Sequence, residues 1–211
     1  MSRNSFEGMN RYSSRRTLDA MIQECDPDKT RVVIDTCSLL HPGFEKAIGT
    51  LMPVMRRKKM KLVVPYCVAA EVRKKMMQTN VDEQLAHNAR AAIRFINSID
   101  REGLLVMPRD RNEHEFFADA VFLGQCAKLR MNYQVNVITQ DVALMHDITS
   151  QNMYTSARQF YKIRAWKISW DRAELVPFIW SEKMASLKST SKKESGTAAS
   201  ADKKVSIPVA V

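Results

Sequence analysis

Residues 32–40 read VVIDTCSLL, and this stretch decides how the fold is interpreted. Three apolar residues in succession, Val32, Val33 and Ile34, predict a strand that enters a core. Asp35 follows them directly, although an isolated ionised carboxylate is expensive to bury. Such a carboxylate is usually paired, bound to a metal ion or placed where the chain leaves the core, and the surrounding sequence indicates which applies to Asp35.

Short apolar runs alternate with longer helical patterns beyond this stretch. The further runs are KLVV at 61–64, LLVM at 104–107 and VNVIT at 135–139, and the helical patterns cover 44–59, the residues after Pro65, 85–99 and 116–129. Short continuous strands separated by helices are typical of a parallel sheet that is covered on both faces. The sequence therefore predicts an α/β fold, in which ligands gather beyond the carboxyl ends of the strands.

Acidic residues occur at or near this predicted edge. Asp35 and Asp141 each follow a predicted strand, and Glu71 lies on the helix after the second strand. Asp119 lies within the otherwise apolar helix of residues 116–129. Carboxylates that converge on one edge repel each other and raise one another's pKa unless a cation lies between them. Oxygen ligands without a His or Cys cluster favour Mg²⁺ or Mn²⁺, and such an ion on a basic protein suggests phosphate-ester chemistry.

Each of these acids also has a purely structural explanation. Asp141 could cap a short helix at 142–148 by accepting backbone N–H bonds. Asp119 could lie in the first turn of its helix, where the helix dipole favours an acid. Glu71 could pair with the cations at 73–75 on the surface.

The charge of the chain favours a polyanionic partner such as nucleic acid. Lys and Arg number 33 against 23 Asp and Glu, which gives a formal net charge of +10. Residues 181–211 carry six lysines and three acids, so most of the excess belongs to residues 1–180. We expect three regions: a basic N-terminal arm at 1–28, in which residues 17–25 could form a short helix, one folded domain at 29–180 and a disordered Lys/Ser/Ala-rich tail at 181–211.

The cysteines and the hydropathy indicate the compartment. The four cysteines are widely separated and form no CxxC pair, so the sequence predicts reduced thiols in a cytoplasmic protein. No run of about 18 apolar residues predicts a membrane span, so no membrane partner is expected. The composition of residues 1–16 suits either a basic arm or an organelle transit peptide.

Five stretches together resemble the PIN domain, a nuclease fold. They are VVIDTCSLL at 32–40, VVPYCVAAEV at 63–72, NARAAIRFI at 88–96, FADAVFLGQCAKL at 117–129 and VITQDVALM at 137–145. Their order is most similar to the PIN domain of PhoH-type proteins, but no P-loop occurs, so the chain resembles a stand-alone equivalent. The resemblance implies a three-layer α/β/α sandwich with a central, mainly parallel sheet, and cleavage of single-stranded or structured RNA by metal-activated water.

The resemblance also assigns roles to the acids. Asp35, Glu71, Asp119 and Asp141 match the four acidic positions that hold Mg²⁺ or Mn²⁺ and carry catalysis in the family. Glu115 is the second choice for the third acid, one helical turn before Asp119.

Three further residues match supporting positions. Thr36 matches the hydroxyl residue after the first acid, and Thr139 matches the Ser or Thr two residues before the last acid. The family commonly has Ser or Asn where this chain has Cys37, so Ser38 is the nearest polar replacement. Asp147, most of two turns after the last acid, is the second choice for the fourth acid.

The sequence thus predicts a metal-dependent endoribonuclease. The alternative is a non-catalytic RNA-binding or scaffold protein on the same fold, with basic arms that contact phosphates. A homodimer, and an inhibitory partner if the protein is a toxin, are left open. In KIRAWKISW at 162–170, Trp166 and Trp170 would share one strand face, which suits either a base-stacking platform or an edge strand packed on the core.

Overall fold

The structure, a computed structural model, describes residues 17–78, 82–109, 118–153 and 159–178. The expected basic arm at 1–16 and the expected tail at 181–211 lie outside these residues. The helices are α1 (Leu18–Glu24), α2 (Thr36–Leu39), α3 (Phe44–Lys58), α4 (Tyr66–Met77), α5 (Glu83–Arg101), α6 (Ala118–Leu129) and α7 (Val142–Ser150). The strands are β1 (Thr30–Ile34), β2 (Leu62–Val63), β3 (Leu105–Val106), β4 (Gln134–Ile138), β5 (Ile163–Ile168) and β6 (Leu175–Pro177).

The strands form one six-stranded sheet in the order β3-β2-β1-β4-β5-β6. All neighbouring pairs are parallel except β5 and β6. Val33 of β1 lies opposite Val63 on one side and Val137 on the other, so β1 is central. The predicted three-layer α/β/α sandwich with a mainly parallel sheet is confirmed.

The apolar periodicity places the core on both faces of this sheet. Val32, Val33 and Ile34 are completely buried, as a strand covered on both faces requires. Helix α3 buries a stripe that includes Phe44, Ile48 and Leu51, at the spacing of one helix face. Burial of each large apolar side chain stabilises the fold by about 1.5–3 kcal/mol.

The strand order creates a crevice between β1 and β4. The chain leaves β1 toward β2 on one side, whereas it leaves β4 toward β5 on the other side. The two connections therefore diverge at the carboxyl ends of β1 and β4. Such a switch point is where open α/β sheets bind their ligands.

Several local predictions can be compared with these elements. The short helix predicted at 17–25 is confirmed as α1, with the apolar side chains of Leu18, Met21 and Ile22 buried. Helix α2 was not predicted, because four residues are too few to show a helical period. All four cysteines lie in the described ranges, and none of them is in a disulfide. None of the helices in the described ranges is long and apolar enough to cross a membrane.

The interpretation of the Trp-containing run as an edge strand is wrong. Strand β5 lies between β4 and β6, so it is internal. Trp166 is 3% exposed and its Nε1 donates to Asn136 Oδ1 at 3.1 Å, which makes it a core residue. Trp170 does not share this environment, because β5 ends at Ile168 and Trp170 lies in the following turn.

Candidate functional site

Asp35 directly follows the carboxyl end of β1, at the crevice between β1 and β4. It is the N-cap of α2, where its Oδ1 accepts a hydrogen bond from Thr36 N at 2.6 Å. Its Oδ2 accepts hydrogen bonds from Thr139 Oγ1 at 2.8 Å and from the Cys37 thiol at 2.6 Å. Burial raises the pKa of Asp35 above its usual 3.8, although these three donors favour the charged form. None of the partners of this carboxylate among the described residues is a cation.

Glu71 reaches the same place from α4. Its Oε2 accepts a hydrogen bond from Thr36 Oγ1 at 2.8 Å, and the side chain is half-buried. Thr36 therefore donates its backbone N–H to Asp35 and its hydroxyl to Glu71. This arrangement brings the first two predicted acids together through one residue.

Asp141 starts α7 at the carboxyl end of β4. Its Oδ1 accepts from the backbone N–H groups of Ala143 and Leu144 at 2.7 and 3.0 Å, so the predicted capping role is realised. Its own backbone N–H donates to Thr139 Oγ1 at 3.1 Å. Thr139 Oγ1 also donates to Asp35, so one hydroxyl group contacts both Asp35 and the backbone of Asp141.

Asp119 lies in the first turn of α6 and is exposed. Its negative charge contributes to the raised pKa of Asp35, which places the two carboxylates within electrostatic range. Asp147 lies further along α7, where it is exposed and pairs with His146 Nδ1 at 3.5 Å. Glu115 lies outside the described residues.

Cys37 makes the polar contact that the sequence left in doubt. Its thiol donates to Asp35, and its sulfur accepts from Gln140 N at 3.1 Å. Burial, and then the charge of Asp35, raise the pKa of Cys37 to about 11, so the thiol keeps its proton at neutral pH. Ser38 Oγ is buried and has no hydrogen-bond partner among the described residues.

Sequence reasoning also missed Cys126 of α6. This thiol is fully buried; burial raises its pKa, and the charge of Asp35 adds to the rise. One signal could have indicated it: Cys126 follows Asp119 by seven residues, which is two helical turns on the same face. Among the described residues, no three His, Cys, Asp or Glu side chains lie close enough to form a metal site.

A model of the PIN domain family matches residues 32–153, which is more than half of the chain. The chain belongs to the PIN domain family. The matched range of this PIN domain includes all four acids and ends before β5. The match does not distinguish subtypes, so similarity to PhoH-type proteins stays a prediction.

A solved structure similar to this PIN domain is that of the PIN domain endonuclease Utp24. The two sequences are 16% identical, and the alignment covers 73% of this chain and 96% of that chain with a TM-score of 0.46. No curated protein sequence matches the chain.

Proposed function

We propose that this PIN domain is a Mg²⁺- or Mn²⁺-dependent endoribonuclease in which Asp35, Glu71, Asp119 and Asp141 hold the metal and carry catalysis. One observation carries the proposal. A buried carboxylate, Asp35, lies at the switch point of the sheet without a cationic partner among the described residues. Its hydrogen-bond partner Thr36 also contacts Glu71, and its partner Thr139 also contacts the backbone of Asp141. Carboxylate oxygens suit a hard divalent cation, and such an ion would offset the cost of burying Asp35.

The chain's own groups hold the reacting region in place. Thr36 and Thr139 fix both oxygens of Asp35, and Thr36 also holds Glu71. The cap on α7 uses only Oδ1 of Asp141, which leaves Oδ2 for a ligand. When bound, a divalent cation would activate water and stabilise negative charge on the attacked phosphate.

RNA is the proposed substrate because family membership and charge agree. The chain belongs to the PIN domain family, which its sequence motifs identify as a nuclease fold, and it carries a net charge of +10. Lys and Arg side chains neutralise phosphates regardless of base sequence. The positive charge therefore supports a nucleic-acid substrate, but it does not determine which bond is cleaved.

The proposal predicts that Asp35→Asn abolishes cleavage of labelled single-stranded RNA in Mn²⁺ or Mg²⁺. The substitution removes a buried charge and keeps the size of the side chain, so we expect the variant to fold. A matched control is Asp100→Asn, which removes an exposed acid at the end of α5, before β3 begins, and should leave cleavage unchanged. Cleavage by Asp35→Asn at the wild-type rate would show that the activity is a contaminant or that the site lies elsewhere.

Thermal unfolding gives a readout that does not depend on activity. A metal at about 100 times its Kd stabilises the folded state by about 2.7 kcal/mol. For a domain of this size, that corresponds to a rise in Tm of roughly 5–10 °C. We expect this rise for the wild type and its loss in Asp35→Asn.

A second candidate function is RNA binding without catalysis. It is favoured by the observation that no three candidate ligands among the described residues are close enough to hold a metal. RNA binding that persists in EDTA, with no cleavage in Mg²⁺ or Mn²⁺, would establish this function instead.

A further inference from the structure

The turn between β5 and β6 lies at the same edge of the sheet as the acids. Strand β5 runs parallel to β4, and Thr139 N donates to Trp166 O at 3.0 Å, so both strands end together. Residues 169–174 therefore follow β5 at the edge where Asp35 and Asp141 follow β1 and β4. Adjacent strands are about 4.8 Å apart, so the end of β5 is roughly 5 Å from β4 and 10 Å from β1.

This turn exposes a large aromatic side chain. Trp170 is 81% exposed, whereas Trp166, only four residues earlier, is 3% exposed. An indole ring that stays in water forgoes the free energy that burial of its apolar area would release. Trp is enriched at surfaces where proteins contact their partners. The family match ends at residue 153, so Trp170 lies outside the part of the chain that it covers.

The exposed indole is held in place. Its ring centroid lies 4.4 Å from that of His41, with an interplanar angle of 59°. His41 is itself buried, its Nδ1 accepts from Gly43 N at 3.0 Å, and burial lowers its pKa, so the imidazole is neutral and fixed at neutral pH. The indole therefore packs against one buried, uncharged imidazole ring.

The turn that carries Trp170 is also closed and packed. Ser169 N donates to Glu174 O at 2.8 Å, and Ala173 N donates to Ser169 O at 2.9 Å. A Cβ atom added at Gly43 would lie 3.1 Å from Ala173 Cβ, so the turn packs directly on the backbone between α2 and α3. A preorganised platform loses little conformational entropy when a ligand binds.

A second aromatic site lies on the other side of the acids. The Arg109 guanidinium lies 4.3 Å from the centre of the Tyr66 ring, and these residues follow β3 and β2 at the same edge. By strand order, the ends of β1 and β4 lie between the ends of β2 and β3, which Tyr66 and Arg109 follow, and the end of β5, which Trp170 follows. From β3 to β5 the span is four strand spacings, roughly 19 Å. A single nucleic-acid strand laid along this edge would cross the ends of these strands in turn.

We infer that Trp170 is a stacking platform for an unpaired nucleobase of the RNA strand whose phosphate reaches the acids. This inference rests on the proposed function, and it adds a preference for single-stranded over duplex substrate. Every base has a π-face, so stacking on indole binds a strand without selecting its sequence. Bases in a duplex are already stacked on one another, so they cannot occupy the platform.

The test measures binding rather than cleavage. In an Asp35→Asn background with EDTA, the probe is a fluorescently labelled single-stranded oligoadenylate, compared with its duplex with oligouridylate. Removal of one base-stacking aromatic residue costs 1–3 kcal/mol, so Trp170→Ala should weaken single-strand binding by about 5- to 150-fold. Trp170→Tyr should recover most of the affinity, and duplex binding should not change.

The matched control is Tyr161→Ala. Tyr161 is also an exposed aromatic residue, but it precedes β5 and therefore lies at the opposite edge of the sheet. We expect its loss to leave both affinities unchanged. Thermal unfolding of each variant checks that the fold is intact.

The outcomes separate the two proposals. Equal single-strand affinity of Trp170→Ala and its parent, or an equal loss for single strand and duplex, would overturn the stacking inference alone. If Trp170→Ala loses single-strand affinity while the wild type cleaves no RNA with any metal, the stacking inference stands and the nuclease proposal fails.

Discussion

At the scale of the residue, the chain supplies unusual support for a buried carboxylate. Asp35 receives a backbone N–H, a hydroxyl and a thiol, all from side chains or amides of its immediate surroundings. Hydrogen bonds to a charged acceptor stabilise the charge, yet burial still dominates the pKa of Asp35. A buried carboxyl group lowers the stability of the fold relative to a neutral residue at the same position. Such groups are concentrated at functional sites, so we attribute Asp35 to function.

The thiol of Cys37 is predicted to be a positioning group for Asp35. Cys37→Ala removes one of two donors to Asp35 Oδ2, and the loss of such a supporting contact typically costs 10–100-fold in metal affinity or activity. Cys37→Ser keeps a donor and should retain most of the rate. Metal titration followed by Tm, together with the cleavage rate, provides the measurement.

Cys25→Ala is the control for this pair. Cys25 ends α1 away from the crevice, and Lys58 bonds its backbone carbonyl rather than its thiol. Equal rates for Cys37→Ala and Cys37→Ser would contradict the positioning role.

At the scale of the element, the N-cap of helix α7 is both a structural residue and a proposed catalytic acid. Asp141 caps the helix through Oδ1, and its carboxylate is also the fourth proposed acid. A cap stabilises the first turn and does not require a charge, because Asn and Ser cap about as well as Asp. The structural and the catalytic explanations of this residue are therefore compatible and can be separated by substitution.

Asp141→Asn should keep the cap and lose the acid. We expect its free energy of unfolding to stay near that of the wild type while RNA cleavage is strongly reduced. Asp141→Ala should lose both, with a loss of stability of about 0.5–2 kcal/mol. Urea unfolding and cleavage assays of the two variants decide the matter, and undiminished cleavage by Asp141→Asn would remove this residue from the catalytic set.

At the scale of the whole molecule, the proposed function predicts that net charge sets how strongly RNA is bound rather than where it is cut. The net charge is +10, and residues 181–211 contribute six lysines against three acids. Cations that neutralise phosphates release counterions, so affinity falls with rising salt. The acids and the platform of Trp170, in contrast, act at short range.

Replacement of the six lysines at 181–211 by glutamine should therefore flatten the salt dependence of RNA affinity of the 211-residue chain. For single strands the slope of log K against log[salt] is about −0.7 for each neutralised phosphate, so the slope should weaken by at most about 4. Cleavage of saturating RNA should stay unchanged. An unaltered salt slope would show that these lysines do not contact the substrate.

The amino-acid sequence alone determined the fold class and the positions of the acids. VVIDTCSLL and VNVIT predicted two buried strands with an acid beyond each, and the structure contains β1 and β4 there. Local periodicity is sufficient for this, because a strand buried on both faces must be continuously apolar and must end where polar residues begin.

The tertiary structure alone decided which side chains meet. Cys37, not Ser38, faces Asp35, because the single turn of α2 sets the direction of each side chain and four residues show no period. Trp166 is buried while Trp170 rests on His41, because the end of β5 and the turn after it determine their environments. Contacts between residues far apart in the chain depend on strand order and on how turns pack, and neither is written in a local pattern.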